Sequence, residues 1–270
     1  MPPVALALWT TALLVLLGGR ALLGTSKSLS SRFLRVITWV IFAILAVSGV
    51  ALAALASSDS LRAQAFALLC TKLAKEPEMT PVRCDELGLR NVTGDVIEFG
   101  PGPGTNFKCW GDVAGPSSWV GVEPNTNFES AQNLEAEAFN LTFSRRTVWL
   151  RGEDVDVPAG SFDVAVLTHV LCSVSDPAAV LAQAARALKP GGKMYVMEHV
   201  AAVEGTTGRS VQQLLSPLFQ IVANGCQFRH LAAEVAGAAG FEPFEVVDFL
   251  APIPIPPFKP HIRAVATKSA

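Results

Sequence analysis

Hydrophobic positions along the chain follow two regimes. The first is a pair of uncharged apolar runs, residues 2–19 and 36–56. The second run, VITWVIFAILAVSGVALAALA, has 21 residues, which as a helix rise about 31 Å, close to the roughly 30 Å hydrocarbon thickness of a bilayer. Neither run shows a polar face at helical spacing, so neither reads as a surface helix of a soluble domain. Residues 57–75 read as a connecting helix, and the proline-bearing stretch 76–83 marks a boundary. Beyond it, short apolar strands alternate with helical segments. Strands are predicted at 95–99, 118–123, 147–150, 162–167 and 193–198, and a helix at 127–139. A second helix, capped by Asp176 with Pro177 in its first turn, runs to Leu188. Two further strands, 245–249 and 262–266, flank the proline-rich loop 252–260. This alternation implies an α/β fold, a mostly parallel sheet with helices on both faces. The chain then divides into an anchor (1–56), a connecting helix and linker (57–90), and a globular domain (91–270).

Composition sharpens the first regime. Half of all residues are hydrophobic and 16% are charged, too apolar a balance for an ordinary soluble chain. Of residues 1–56, 37 are hydrophobic, while the remaining 214 carry about 46%, an ordinary globular share. All four charges in the first stretch are basic (Arg20, Lys27, Arg32, Arg35), which leaves 17 basic against 23 acidic residues downstream, a balance of −6. An acidic domain argues against nucleic acid as a partner. The lipid of a membrane, met through residues 1–56, is the partner this pattern implies. A hairpin, a single span and two spans are all compatible with the runs, and two spans would place the domain opposite the basic turn. Five cysteines, odd in number, widely spaced and without C-x-x-C, indicate a reduced compartment with neither a disulfide framework nor a metal site.

Ligands on such a sheet bind outside the carboxyl ends of the strands. The loop after the first strand reads Glu98-Phe99-Gly100-Pro101-Gly102-Pro103-Gly104-Thr105-Asn106 and is expected to open a helix. Its glycines let a ligand approach the backbone closely. A nicotinamide dinucleotide fingerprint counted from Gly100 requires glycine at 105, where Thr105 stands, and the two prolines remove amide donors for a pyrophosphate. A phosphate-free nucleoside fits better. Glu123 closes the second strand where a carboxylate can accept both ribose hydroxyls. After the third strand, Asp154 can accept from the exocyclic amine of adenine.

Taken in order, Glu98-x-Gly100-x-Gly102-x-Gly104, the acidic end of the second strand, Gly152-Glu153-Asp154, Phe162-Asp163-Val164 and Leu188-Lys189-Pro190-Gly191-Gly192 resemble the class I S-adenosylmethionine-dependent methyltransferases. Asn106-Phe107-Lys108, the stretch from Glu123 to Glu129, Val170-Leu171-Cys172-Ser173-Val174, Met197-Glu198-His199-Val200-Ala201-Ala202, Gly225-Cys226 and Pro260-His261-Ile262 resemble, more narrowly, the methyltransferase-like seven group, membrane-anchored thiol S-methyltransferases of endoplasmic reticulum and lipid droplets. The resemblance implies a Rossmann-like sheet of seven strands, parallel but for one, with S-adenosylmethionine as cosubstrate. It places Glu98 and Gly104 in the cosubstrate loop, Gly100 and Gly102 against the methionine and ribose, Glu123 on the ribose, Asp154 on the adenine and Thr168 at the methionyl end. It also implies a cytosol-facing catalytic domain. Two positions depart from the group: His169 stands where it has an apolar residue, and Glu123 replaces a more usual aspartate.

A thiol with a pKa near about 8.5 is partly ionised at neutral pH, so a weak base or polarising neighbour suffices for its methylation. His199 is the candidate base or thiolate stabiliser, against a reading in which it only hydrogen-bonds its loop. Cys172 reads as a packed thiol and His261 as structural. The tether points to small lipophilic acceptors, alkyl thiols first. A lipid or quinone C- or O-methyltransferase, or a catalytically silent membrane or lipid-droplet protein, are the alternatives.

Overall fold

The computed structural model describes residues 29–73 and 77–270; the run 2–19 lies outside them. The chain divides into two units, Met1–Ala65 and Phe66–Ala270. Helix α1 (Leu29–Ser57) contains the run 36–56, and α2 (Asp59–Leu73) follows after Ser58. Val40, Ile41, Ile44, Leu45 and Val47 on α1 are all exposed. Among the described residues no single helix is long and apolar enough to cross a membrane, whereas Ala43–Ser57 and Asp59–Lys72, bent by 113°, have the length and composition as a pair.

The second unit is built on a seven-stranded sheet in the order β3-β2-β1-β4-β5-β7-β6. Its strands are β1 (Asp95–Phe99), β2 (Ser118–Val122), β3 (Ser144–Val148), β4 (Phe162–Thr168), β5 (Leu188–His199), β6 (Val246–Leu250) and β7 (Pro260–Thr267). Only β7 runs against the rest, pairing antiparallel with both β5 and β6. The longer helices are α3 (Glu129–Ala138), α4 (Pro177–Ala187), α5 (Thr207–Val222) and α6 (Leu231–Ala236). Asp176 caps α4 by accepting from the amide of Ala179 at 3.0 Å, as its sequence implies.

Strand side chains alternate between faces, and here they feed two separate cores. Ile97, Phe99, Val122, Ala165, Leu167, Val196 and Ile262 bury on one face. Val96, Trp119, Val164, Val166 and Met197 bury on the other, where Met79, Val82, Leu87 and Leu89 from the stretch read as linker join them. The same parity puts Glu98 on β1, Thr168 on β4, His199 on β5 and His261 on β7 on the second face, with Glu123 in register just past β2. Four neighbouring strands thus deliver their polar ends to one place.

Three element expectations are corrected. The third strand is Ser144–Val148 and not 147–150, because its pairing with β2, Ser118 to Ser144 through Val122 to Val148, sets its limits. The apolar Trp149 and Leu150 that suggested a later strand lie beyond the sheet. The glycine loop opens no α-helix but turns and a short 3-10 segment, Phe107–Cys109. Just beyond it the chain packs closely on Phe139, where a Cβ on Gly111 would sit 2.9 Å from that residue. Pro190-Gly191-Gly192 is no loop before β5 but a bulge inside it, since the register with β4 jumps from Phe162–Leu188 to Val164–Lys193. Gly192 fits there because a Cβ would meet the Lys189 carbonyl oxygen at 2.8 Å.

The expectation of no disulfide is also corrected. Cys84 and Cys109 are bonded across 25 residues, Cα to Cα 5.0 Å, a pairing that sequence spacing cannot register because the fold brings the two segments together. Closing a loop of this length removes roughly 3 kcal/mol of unfolded-state entropy. Reduction of the oxidised protein, or Cys84→Ala with Cys109→Ala, is therefore expected to lower stability by about that amount in urea titrations; equal midpoints in both redox states would contradict it.

Candidate active site

At the centre of the polar strand ends is Asn106. Its side-chain amide donates to Glu98 Oε1 at 2.7 Å and to Thr168 Oγ1 at 2.9 Å. Glu98 Oε2 accepts from the Trp119 indole at 2.9 Å. All three polar side chains are buried. Burial pushes the Glu98 carboxyl up to about 7, against the pull of the Trp119 and Asn106 hydrogen bonds and the Arg83 charge. Asn106 Oδ1 is buried without a hydrogen-bond partner among the described residues, so an acceptor is left over for a ligand. Along the sequence Asn106 carries only a weak signal, a lone amide just inside a glycine loop.

Glu123 holds the loop from the other side. Its Oε2 accepts from the Gly102 amide at 3.1 Å and its Oε1 from the Asn125 amide at 2.9 Å. Burial raises its carboxyl to about 7 as well, opposed by those two amides. Gln132 donates to the Gly102 carbonyl at 2.8 Å, so this glycine is fixed from both ends. Gly100 and Gly102 both adopt left-handed backbone, φ 64° and 54°, but their surroundings differ. A Cβ on Gly100 would lie 2.5 Å from Val170 Cγ2, while one on Gly102 would meet only Phe128 at 4.0 Å. Gly100→Ala is thus expected to destabilise the fold by about 2–4 kcal/mol through strain and overpacking. Gly102→Ala should cost about 1–2 kcal/mol and stay folded, with its methyl occupying the open side of the loop. Chemical denaturation of both separates the two, and equal losses would refute the distinction.

Gly104 is left-handed too, packed on Phe107. Asp154 is exposed, with its carboxylate 3.8 Å from Arg151 Nε. Its neighbour Glu153 instead accepts from the amides of Ser175 and Asp176 at 2.7 and 3.3 Å, bracing the start of α4. The structure therefore brings Glu98, Gly100, Gly102, Glu123 and Thr168 together around one loop, while Asp154 is exposed beside Arg151.

Next to this loop the strand ends carry histidines. Arg83 Nη2 lies 3.0 Å from His169 Nδ1, His169 Nε2 lies 3.0 Å from His261 Nε2, and His261 Nδ1 lies 3.2 Å from the Lys259 carbonyl oxygen. One assignment satisfies every contact. Arg83 donates to His169, His169 donates from Nε2 to His261, and His261 donates from Nδ1 to Lys259, with both rings neutral. Burial, aided by Arg83 and the other histidines, depresses both rings, His261 to about 4, in agreement with that chain. His169 has φ 55°, a conformation that non-glycine residues adopt rarely; the hydrogen-bonded chain holds it there. His261 thus lies inside a hydrogen-bonded chain, between His169 and the Lys259 carbonyl.

His199, opposite His261 across β5 and β7 with the two ring centroids 6.3 Å apart, has a polar partner of its own. Its Nε2 lies 3.1 Å from Cys226 Sγ, and Phe228 and Phe258 pack on its ring at 5.5 and 5.4 Å between centroids. Cys172, His199 and Cys226 are all buried, with one ligand atom of each within 4.8 Å of the others. Counting cysteines along the chain could not find this group, because its members come from three separate segments.

The chain and its fold have counterparts. Residues 62–246 match the methyltransferase domain family. The chain is 35% identical over 175 residues to the human thiol S-methyltransferase TMT1A, covering 64% of this chain and 70% of that protein. It is 32% identical over 185 residues to human TMT1B, covering 67% and 74%. Among solved structures it resembles an S-adenosylmethionine-dependent methyltransferase of Thermotoga maritima, described as a possible histamine N-methyltransferase, with a TM-score of 0.50 at 19% identity over 76% of this chain and all of that one.

Proposed function

Because this chain belongs to the S-adenosylmethionine-dependent methyltransferases, we propose that it methylates a small lipophilic thiol at a membrane engaged through residues 1–56. The likeness to two human thiol S-methyltransferases carries the choice of acceptor. The row of exposed apolar side chains from Val40 to Val47 supports the membrane, since such a face is stable against lipid and costly in water. The proposed location is endoplasmic reticulum or lipid droplet with the domain facing the cytosol, where the Cys84–Cys109 bond has to withstand a reducing environment. A C-terminal tag in sealed microsomes should then be digested by added protease; a protected tag would put the domain, and the Cys84–Cys109 bond, on the oxidising side.

Bound S-adenosylmethionine supplies an electrophilic methyl on a sulfonium sulfur. The residues fit this cosubstrate. Glu123 has lone pairs beyond its two amide bonds for the ribose hydroxyls, and Asn106 Oδ1 is the unpartnered acceptor for an ammonium group beside Glu98 and Thr168. Gly102 leaves space where the ligand approaches the backbone, and the exposed Asp154 takes the adenine amine. What the chain must then do is hold an acceptor sulfur in line with the methyl carbon at about 3–3.5 Å and keep water out. The aromatic shell of Phe219, Phe228 and Phe258 around His199 suits an apolar acceptor. Of the two roles open to His199, thiolate stabiliser is the one we propose, because its Nε2 already faces a sulfur, that of Cys226.

Transfer of tritiated methyl to an alkyl thiol, a quinone precursor and a phospholipid, run side by side, tests the acceptor. Thiol product is expected in excess, and its absence would end the thiol reading in favour of quinone or lipid. A catalytically silent protein would show product from none of them.

A further inference from the structure

We propose that Cys172, His199 and Cys226 form a zinc site whose fourth position takes the acceptor thiolate. The site itself stands on geometry alone, while its role rests on the thiol reading above.

The three ligands arrive from separate parts of the second unit. Cys172 lies in the turn after β4, His199 ends β5, and Cys226 follows α5. The first and last segments are tied directly, the Gln227 amide donating to the Cys172 carbonyl at 3.0 Å. Their side chains converge with one ligand atom each inside 4.8 Å, all buried. Tetrahedral zinc with bonds of about 2.3 Å to sulfur and 2.0–2.1 Å to nitrogen needs sulfur–sulfur spacings of about 3.8 Å, which adjustments of side-chain torsions reach from here. Two sulfurs and an imidazole are the donor set that selects zinc over hard cations.

Charge supports the same assignment. Two thiolates buried beneath Phe228 and Phe258 would be costly alone, but with a divalent cation and a neutral imidazole the centre carries no net charge. Ser173 Oγ, 3.3 Å from Cys172 Sγ, can donate to a coordinated sulfur as outer-shell support. The imidazole proton then resides on Nδ1, which has no other partner among the described residues.

Three protein ligands leave a fourth position open, the arrangement of catalytic rather than structural zinc. An incoming thiol RSH would lose its proton to water on coordination. Its sulfur lone pair would then form the new S–CH3 bond as the methyl–sulfonium bond breaks, the electron pair returning to the sulfonium sulfur. The products are the thioether RSCH3, S-adenosylhomocysteine and the released proton. A neutral thioether is a poorer ligand than a thiolate and so departs. The segments around Cys172, His199 and Cys226 are among those the sequence singled out, and cosubstrate binding leaves all three residues unused.

The test uses the full chain purified in detergent without chelators. Elemental analysis is expected to find about one zinc per chain. Replacement by cobalt(II) should give a sulfur-to-cobalt charge-transfer band that shifts when an alkyl thiol is added. The double variant Cys172→Ser, Cys226→Ser should lose metal and band; the cobalt spectrum of the unaltered protein keeps the test independent of whether that variant folds. A chain that stays metal-free after exposure to excess zinc, or a Cys172–Cys226 disulfide in peptide mapping, would overturn the site. Undiminished thiol methylation by metal-free enzyme would overturn its role while leaving the thiol reading intact. Metal and a thiol-sensitive band without methyl transfer to any thiol would leave the site standing and overturn the thiol reading, and with it the site's role.

Discussion

Replacing Glu123 with alanine is expected to weaken S-adenosylmethionine binding by about 100- to 1,000-fold. Two hydrogen bonds from ribose hydroxyls to a carboxylate are lost, each worth roughly 1.5–3 kcal/mol, of which part returns as water solvates the freed groups. A second effect works in the same direction. Glu123 also accepts from the amides of Gly102 and Asn125, so its removal frees the loop that must close on the ligand, and ordering that loop is then charged to binding. Glu123→Gln separates the two contributions, because a glutamine has one acceptor oxygen where the carboxylate has two, and it should fall between the wild type and the alanine variant. Glu123→Asp should lose about tenfold, since a side chain one methylene shorter cannot reach both loop amides and the diol at once. Calorimetric titration of the four proteins gives the series directly. Affinity unchanged in Glu123→Ala would place the ribose contact elsewhere.

Much of the fold was legible, for a reason visible in particular residues. β1 is bounded as read, 95–99, because the short apolar run ends against Gly100, whose backbone no side-chain-bearing residue adopts cheaply. Six of the seven strands and the acidic end of β2 followed from the same punctuation. What was hidden lies in features that need a second segment. The edge strand β3 carries Arg145 and Arg146, so its own pattern is polar and only its register with β2 defines it. Helix α5 contains Pro217, which reads locally as a break. The site divides the same way. Gly100, Gly102 and Glu123 announce themselves by type and position along one strand–loop unit. Asn106 does not, because its role is to join β1 to β4, and the Cys84–Cys109 bond and the Cys172–His199–Cys226 group each join segments far apart in the chain.

Binding of S-adenosylmethionine is expected to release protons below neutral pH and to tighten as pH rises. Glu98 and Glu123 both sit at about 7 because burial disfavours their charge. Between their ordinary carboxylate values near 4.5 and about 7 the folded protein therefore holds protons that the unfolded chain has released. Stability of the ligand-free protein is then greatest at the acid end of this window and falls as pH rises through it. The ligand reverses the preference. A cationic sulfonium and ammonium beside Glu98, and hydroxyl donors on Glu123, favour the ionised carboxylates and draw both values down. Each group that must ionise contributes up to about tenfold in affinity per pH unit below its ligand-free value, so affinity should rise by about 10- to 100-fold from roughly pH 5.5 to pH 7 and level off above. Calorimetry at about pH 6 in two buffers of different ionisation enthalpy counts the protons released. Glu98→Gln should remove its share, at some cost in stability, because one amide oxygen must serve the two donors, Asn106 and Trp119, that the carboxyl now accepts separately. Opposite pH trends for ligand-free stability and ligand affinity are the signature of two carboxyls buried for the ligand's sake. Parallel trends, or no proton release at about pH 6, would mean that neither carboxyl changes its ionisation on binding.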